Sequence, residues 1–305
     1  MATSRTFKDL AQVALANYTG RDPSFPNRLK MWVDFFHDRD ISSLTSDDIE
    51  DALDRLVARG KLRTTLKAPS SASKSTTRVP VLVQTGQPLA ASTINRYLAC
   101  MGTMFKVLKS LRLLPRGFVS PLRDVTKMPE GPGRTIDIDM PRVLNLVAAC
   151  RLSRNRKLAA LVAFACTTGW RLGSIQAMRW ADVNLQDGSA YSSRTKNGTA
   201  HRTALLPLVI AELRSIKPYQ LDANSLVFGK HNVTKAFRTA LLRANLPTTW
   251  TFHHCRHIAA SVLAQSGASV PIIMACLNHK SPQMALRYSH LNIDALRSSM
   301  ERAWS

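Results

Sequence analysis

The chain has 305 residues, 45% of them hydrophobic, which is enough for two domains with cores of their own and too apolar for a disordered tail. Lysine and arginine number 42 against 20 acidic residues, a net charge of +22 that points to a polyanionic partner, nucleic acid being the commonest. Five scattered cysteines without a C-x-x-C pair exclude a disulfide scaffold and read as buried free thiols of a reducing compartment.

MATSRTFKDL lacks the apolar run of a signal peptide, and no stretch approaches the roughly 18 apolar residues that span a bilayer. A soluble, cytoplasmic protein with no membrane partner is expected. The charge is spread along the whole chain. Residues 1–130 carry 20 basic and 12 acidic side chains, and residues 131–305 carry 22 and 8. Between Asp54 and Asp124 there is no acidic residue but thirteen basic ones. Both halves can therefore meet one phosphate backbone.

In chain order, the first 60 residues show helical periodicity. Thr45-Ser46-Asp47-Asp48 precedes IEDALDRLVARG, where Ile49, Leu53 and Leu56 share a face and Gly60 closes the helix. Residues 64–91 are rich in Ser, Thr and Pro with basic residues interspersed, which predicts a flexible basic loop able to contact phosphates. Ser92-Thr93 opens a further helix that Pro115 stops. Residues 1–125 thus read as a small, mostly helical, basic domain. Its candidate DNA-contacting residues are Lys61, Arg63, Lys67, Lys74, Arg78, Arg96 and Lys106.

The Pro/Gly-rich break PEGPGRTIDIDMP (129–141) marks a boundary, with the linker placed at 126–138 and a second domain at 139–305. RKLAALVAFACTTG predicts a strongly apolar helix ended by Gly169. SAYSSRTKNGTAHRTALLPL predicts two strands joined at Asn197-Gly198, and helices follow. The fold class expected is α+β, mostly helical, with a small antiparallel sheet in the second domain.

Four stretches of that domain carry candidate chemistry. Arg171 in TTGWRLGS starts a helix just after Gly169; alone it reads as a surface salt-bridge arginine. Lys196 precedes the hairpin turn; alone it is a solvated turn lysine. In TFHHCRHIAAS, His253 and Arg256 lie three apart on one helix face, while His254 and His257 are set aside as bystanders. A zinc reading of HHCRH fails for want of a second ligand pair. In LNHKSPQMALRYSHL, Ser281 and Pro282 start a helix carrying Tyr288, with His279 just before it.

Singly weak, these residues are specific in their order. The sequence resembles the tyrosine recombinase family, the phage-type integrases, whose pattern is T-G-x-R-x-G, a hairpin Thr-Lys, H-x-x-R-H, L-G-H and R-Y-x-H. Thr168 to Gly173, Thr195-Lys196, His253 to His257, Leu277 to His279 and Arg287 to His290 match it. Two positions depart. Ser174 stands where the family often has an acidic residue, and Asn278 stands for the Gly, a mild change if the backbone there is left-handed.

The resemblance implies a helical, SAM-like core-binding domain followed by a catalytic domain. It implies metal-free and cofactor-free cleavage of DNA through a 3′-phosphotyrosyl link. Tyr288 would be the nucleophile. Arg171, Arg256 and His279 would stabilise the phosphate, His253 would take the tyrosine proton, and Lys196 would protonate the leaving 5′ oxygen. The expected partner is double-stranded DNA at paired sites, bound by a homotetramer in the nucleoid, with DNA-bending accessory proteins able to assist. An apolar stripe at Ile293, Leu296, Met300 and Trp304 would dock onto its own domain or a neighbouring protomer. The short stretch ahead of the helical domain makes an additional arm-binding domain unexpected. The competing readings are a non-catalytic DNA-binding protein of the same fold and a type IB topoisomerase.

Overall fold

The computed structural model describes residues 6–67, 79–131, 136, 138–193 and 200–288, together with positions 297, 300, 301 and 304. The chain forms two compact units, 1–131 and 132–305.

The first unit is built from helices α1 (Phe7–Ala16), α2 (Phe25–Phe36) and α3 (Ser46–Arg59), strands β1 (Leu62–Lys67) and β2 (Val79–Gln84), and helix α4 (Ala91–Ser110). Local sequence explains the helix starts. Thr6 with Asp9 and Thr45 with Asp48 form reciprocal capping boxes ahead of α1 and α3, each satisfying two otherwise orphaned backbone donors. Gly60 ends α3 at φ +68°, where a side chain is strained. The core is aromatic and sulfur-rich, with Trp32, Phe7, Phe25, Met101 and Met104 fully buried. Trp32 donates its indole N–H to the Tyr97 carbonyl at 3.0 Å, so the ring is buried without loss of a hydrogen bond.

One expectation is corrected in this unit. Residues 62–67 and 79–84, predicted to belong largely to a flexible loop over 64–91, pair as an antiparallel ladder running from Leu62↔Gln84 to Lys67↔Val79. The Ser/Thr/Pro average of the segment masks its ends, where Thr64-Thr65 and the Val-rich VPVLVQ have the β-branched side chains that suit a pleated strand. Of the candidate DNA contacts, Lys61, Arg63, Arg96 and Lys106 are exposed. Lys67 contributes backbone to β1, and Lys74 and Arg78 lie outside the described residues.

Beyond α4 the chain stays attached to the first unit. Buried Asn95 donates to the Met128 carbonyl at 2.9 Å and to Glu130 at 2.8 Å, and accepts the Met128 N–H at 2.9 Å. Ile136 and Ile138 are already buried in the core of the second unit. Within the span 126–138 read as linker, residues 132–135 and 137 lie outside the described residues.

The second unit holds α5 (Met140–Arg151), α6 (Leu158–Thr168), α7 (Leu172–Gln176), β3 (Val183–Asn184), β4 (Ser189–Ser192), β5 (His201–Ala204), α8 (Pro207–Ile216), α9 (Thr234–Arg243), α10 (His254–Gln265), α11 (Val270–Leu277) and α12 (Pro282–Leu286). Helix α6 is apolar all round and buried along nearly its whole length, as a helix must be when it lies at the centre of its domain. Helices α5, α8 and α10 pack around it. Strands β3, β4 and β5 form an antiparallel sheet whose β4–β5 ladder runs from Ser189↔Ala204 to Ser192↔His201. The Asn197-Gly198 turn and Lys196 lie outside the described residues.

All five cysteines are free, and four are buried. Among the described residues no helix is long and apolar enough to cross a membrane. The fold is mostly helical α+β.

Candidate active site

The site is assembled where the end of α6, the start of α10 and the two short helices α11 and α12 meet. Gly169 caps α6 in the left-handed conformation at φ +65°. A Cβ there would sit 2.1 Å from Leu277 Cδ2, so the position is restricted to glycine twice over. Its carbonyl accepts a 2.7 Å hydrogen bond from Nη1 of Arg256. Two residues on, Arg171 is the N-cap of α7 in extended conformation, which launches its side chain as the chain turns.

Arg256, in the first turn of α10, is 7% exposed, and among the described residues its Nη2 has no hydrogen-bond partner. Burial brings its pKa down to about 10, helped by the positive charge of Arg171. No carboxylate of the described residues is among the groups acting on it. Buried charges are ordinarily paired, so a guanidinium with one orphaned nitrogen and a second guanidinium nearby describes a place for an anion.

His279 follows Asn278, which adopts φ +49° and ψ 55° as the C-cap of α11. The left-handed backbone explains why Asn can replace Gly here. His279 has its Nδ1 buried and, among the described residues, unpartnered. Burial, then the charges of Arg256, Arg171 and Arg287, hold its pKa near 4, so the imidazole is neutral at pH 7. His253 caps α10 and is exposed. Its pKa is lowered first by desolvation, then by Arg256, His254 and Arg171.

Tyr288 lies one residue beyond the C-cap of α12, so the helix predicted to carry it stops just short; its N–H still bonds to the Ala285 carbonyl at 3.0 Å. The side chain is 5% exposed and packs with Ala259, Ala260, Ile273, Leu277 and Ala285. Burial raises its pKa, while Arg256 and Arg287 pull it back. The hydroxyl lies 2.7 Å from Nδ1 of His257. This corrects the dismissal of His257: it is the imidazole on the tyrosine. Position 257 is one helical turn from His253, four residues along the same face, and that spacing was the available signal.

Two further residues were missed. His201 on β5 donates from Nε2 to the Ala275 carbonyl on α11 at 2.8 Å and stacks on Trp170, with ring centroids 5.1 Å apart. Together they tie the sheet to the elements holding Arg171 and His279. Nothing local in sequence marks either one. The structure thus brings Arg171, Arg256, His253, His279 and Tyr288 into one site, while Lys196 lies outside the described residues.

The phage integrase family model matches residues 138–294, more than half of the chain, and the chain belongs to that family. It is 28% identical over 221 residues to the shufflon-specific DNA recombinase of Escherichia coli, covering 72% of this chain and 56% of that protein. It is 25% identical over 221 residues to the integrase of Haemophilus phage HP1, covering 72% and 62%. The chain therefore spans less than two thirds of the length of these relatives. Among solved structures, the Tn1549 transposon integrase in complex with transposon right-end DNA aligns over 99% of this chain and 100% of its own, with a TM-score of 0.68 at 14% identity. A lambda integrase dimer bound to a core site aligns over 93% and 75%, with a TM-score of 0.63 at 16% identity. These likenesses establish the tyrosine recombinase fold.

Proposed function

We propose that this chain is a site-specific DNA recombinase of the integrase type, cutting and rejoining duplex DNA through a 3′-phosphotyrosyl link at Tyr288. The observation that carries the reading is the uncompensated cationic site beside that tyrosine. Among the described residues, Arg256 Nη2 and His279 Nδ1 are buried without partners, Arg171 adds charge, and no carboxylate acts on Arg256. A phosphodiester oxygen supplies what these groups lack.

In this reading Arg171 and Arg256 bind the non-bridging oxygens and stabilise the charge that builds on them during attack. His279 and His253 complete the clamp. Lys196, on the connection between β4 and β5, protonates the departing 5′ oxygen as general acid. The phosphotyrosyl bond stores the cleaved bond's energy, so a partner strand's 5′ hydroxyl can reverse the reaction. Lys61, Arg63, Lys67, Lys74, Arg78, Arg96 and Lys106 contact the phosphate backbone. Four protomers act on paired sites. Met300 and Trp304, 54% and 85% exposed, support docking of the C-terminal stripe onto a neighbouring protomer. The likeness to an integrase supports integration or excision as the outcome.

The test is covalent trapping in EDTA. Wild type and Tyr288→Phe are incubated with fragmented, nicked DNA from the source cell, denatured, and assayed for protein-linked DNA. An adduct with wild type alone is expected, and sequencing the attached strand gives the site. Binding without any adduct would instead favour a non-catalytic DNA-binding protein of the same fold. Relaxation of supercoiled plasmid without exchange between paired sites would favour a topoisomerase.

A further inference from the structure

We propose that His257, not His253, holds the Tyr288 hydroxyl at rest and takes its proton as the phenol attacks phosphorus. The inference rests on the recombinase reading above and assigns within it a step that the family's shared pattern leaves to His253.

The geometry is direct. His257 Nδ1 and the Tyr288 oxygen are 2.7 Å apart, with ring centroids at 6.2 Å and planes tilted by 45°. This is hydrogen-bond distance without an intervening water. His253 instead meets His257 edge-on, its ring centroid 5.2 Å away, and is exposed where the phosphate would approach. The two imidazoles thus stand one behind the other, with only the inner one on the nucleophile.

The groups facing His257 settle its charge. They are His253, His254 and Arg256 from α10 and its cap, Arg287 and Tyr288 beyond α12, and His279 before it. Burial first, and then the positive charges of His253, His254, Arg256 and Arg287, hold its pKa near 4. At pH 7 it is neutral, and with the ring proton on Nε2 the Nδ1 lone pair accepts the phenol O–H. An empty site thus has a well-aligned but weak base. A bound phosphodiester changes that: its negative charge offsets the two arginines and favours the imidazolium. Base strength therefore rises only when the substrate is in place.

The steps balance as follows. The proton passes from the Tyr288 oxygen to His257 Nδ1 while the oxygen bonds to phosphorus and the bond from phosphorus to the 5′ oxygen breaks. That 5′ oxygen leaves with a proton from Lys196. On rejoining, an incoming 5′ hydroxyl returns its proton to Lys196 and displaces the tyrosine, which recovers its own from His257.

The experiment measures single-turnover adduct formation between pH 5 and 9, on nicked duplexes built from the sequence recovered by trapping. Wild type, His257→Asn and His253→Asn are compared, each with Tyr288 native or replaced by 3,5-difluorotyrosine, whose phenol ionises more readily. His257→Asn keeps a polar group near the Nδ1 position but cannot carry the proton. It is expected to slow adduct formation by roughly 10²-fold or more and to remove the acid limb of the pH profile. Fluorination should recover at least about tenfold of that loss in His257→Asn and little in His253→Asn, a pattern that a packing role would not produce. If His257→Asn links DNA at the wild-type rate, or if fluorination rescues His253→Asn alone, the assignment to His257 is overturned while the recombinase reading stands. Wild type forming no adduct would overturn both.

Discussion

Two buried polar side chains, one in each unit, are treated in opposite ways. Asn95 in the helical unit makes three hydrogen bonds that clamp residues 128 and 130, using both of its amide atoms. Arg256 in the second unit makes one among the described residues, to Gly169, and leaves Nη2 without a partner there. Both are within a tenth of full burial. The first is a structural joint, complete in the free protein. The second, in the proposed reading, is completed by a bound phosphate, and its unpartnered nitrogen costs stability in the resting state. The difference is the one expected between a buried polar group kept for the fold and one kept for a ligand.

The sharpest way to test that contrast is to substitute Arg256 with methionine, which fills similar volume without charge. Adduct formation should fall by about 10³-fold with the loss of transition-state donors. Thermal unfolding should show the variant as stable as wild type or more so by about 1 kcal/mol. A large loss of stability would mean that Arg256 belongs to the fold as Asn95 does. The mirror experiment is Asn95→Ala, expected to cost about 2 kcal/mol in urea unfolding because the Met128 N–H loses its partner. Adduct formation at saturating DNA should be far less affected.

Acid weakens both units, but over different pH ranges. His257 and His279 are held near pH 4, below the ordinary histidine value of about 6.5. The unfolded chain therefore binds more protons between those values, and stability falls as pH drops from about 6.5 towards 4. A loss of a few degrees in the melting temperature of the catalytic unit is expected over that range. Inorganic sulfate should reverse part of it by occupying the cationic site. No dependence on sulfate would argue against an anion site.

The smallest effect lies in the first unit. Arg39 holds Asp48 in a fork of 2.6 and 2.9 Å contacts. This hydrogen bonding, with that from Thr45, brings Asp48 down to about 2. Arg39→Ala should cost at most about 1 kcal/mol at pH 7, since the pair is partly solvated. The cost is present above the ordinary carboxylate range and should disappear as pH falls towards 2. Guanidine unfolding at pH 7 and at pH 2.5 reads the difference.

Short-range chemistry was the legible part of this molecule. The Thr45 cap, the stop at Gly60, the all-round apolar α6 and the left-handed Asn278 each depend on neighbours within a few positions, and each appears where the residues place it. The order of Arg171, His253, Arg256, His279 and Tyr288 carried the family because that chemistry demands distinct residue types. What composition hid was β1 with β2, whose strand-forming ends were averaged with the Ser/Thr-rich stretch between them. What spacing alone could not reach was the meeting of His257 with a phenol 31 positions away, or of His201 with α11 74 positions away. Those contacts are fixed by how the helices stack, and a one-dimensional pattern does not state it.

Gly169 sets a limit on what random mutagenesis of this chain can reach. Its carbonyl holds Arg256 on one side, and its missing methyl makes room for Leu277 on the other, two positions before His279. A single added carbon would strain this left-handed backbone and crowd Leu277, on the helix that leads to His279. Substitution is therefore expected to be tolerated far less at this α6 cap than at exposed positions of the first unit.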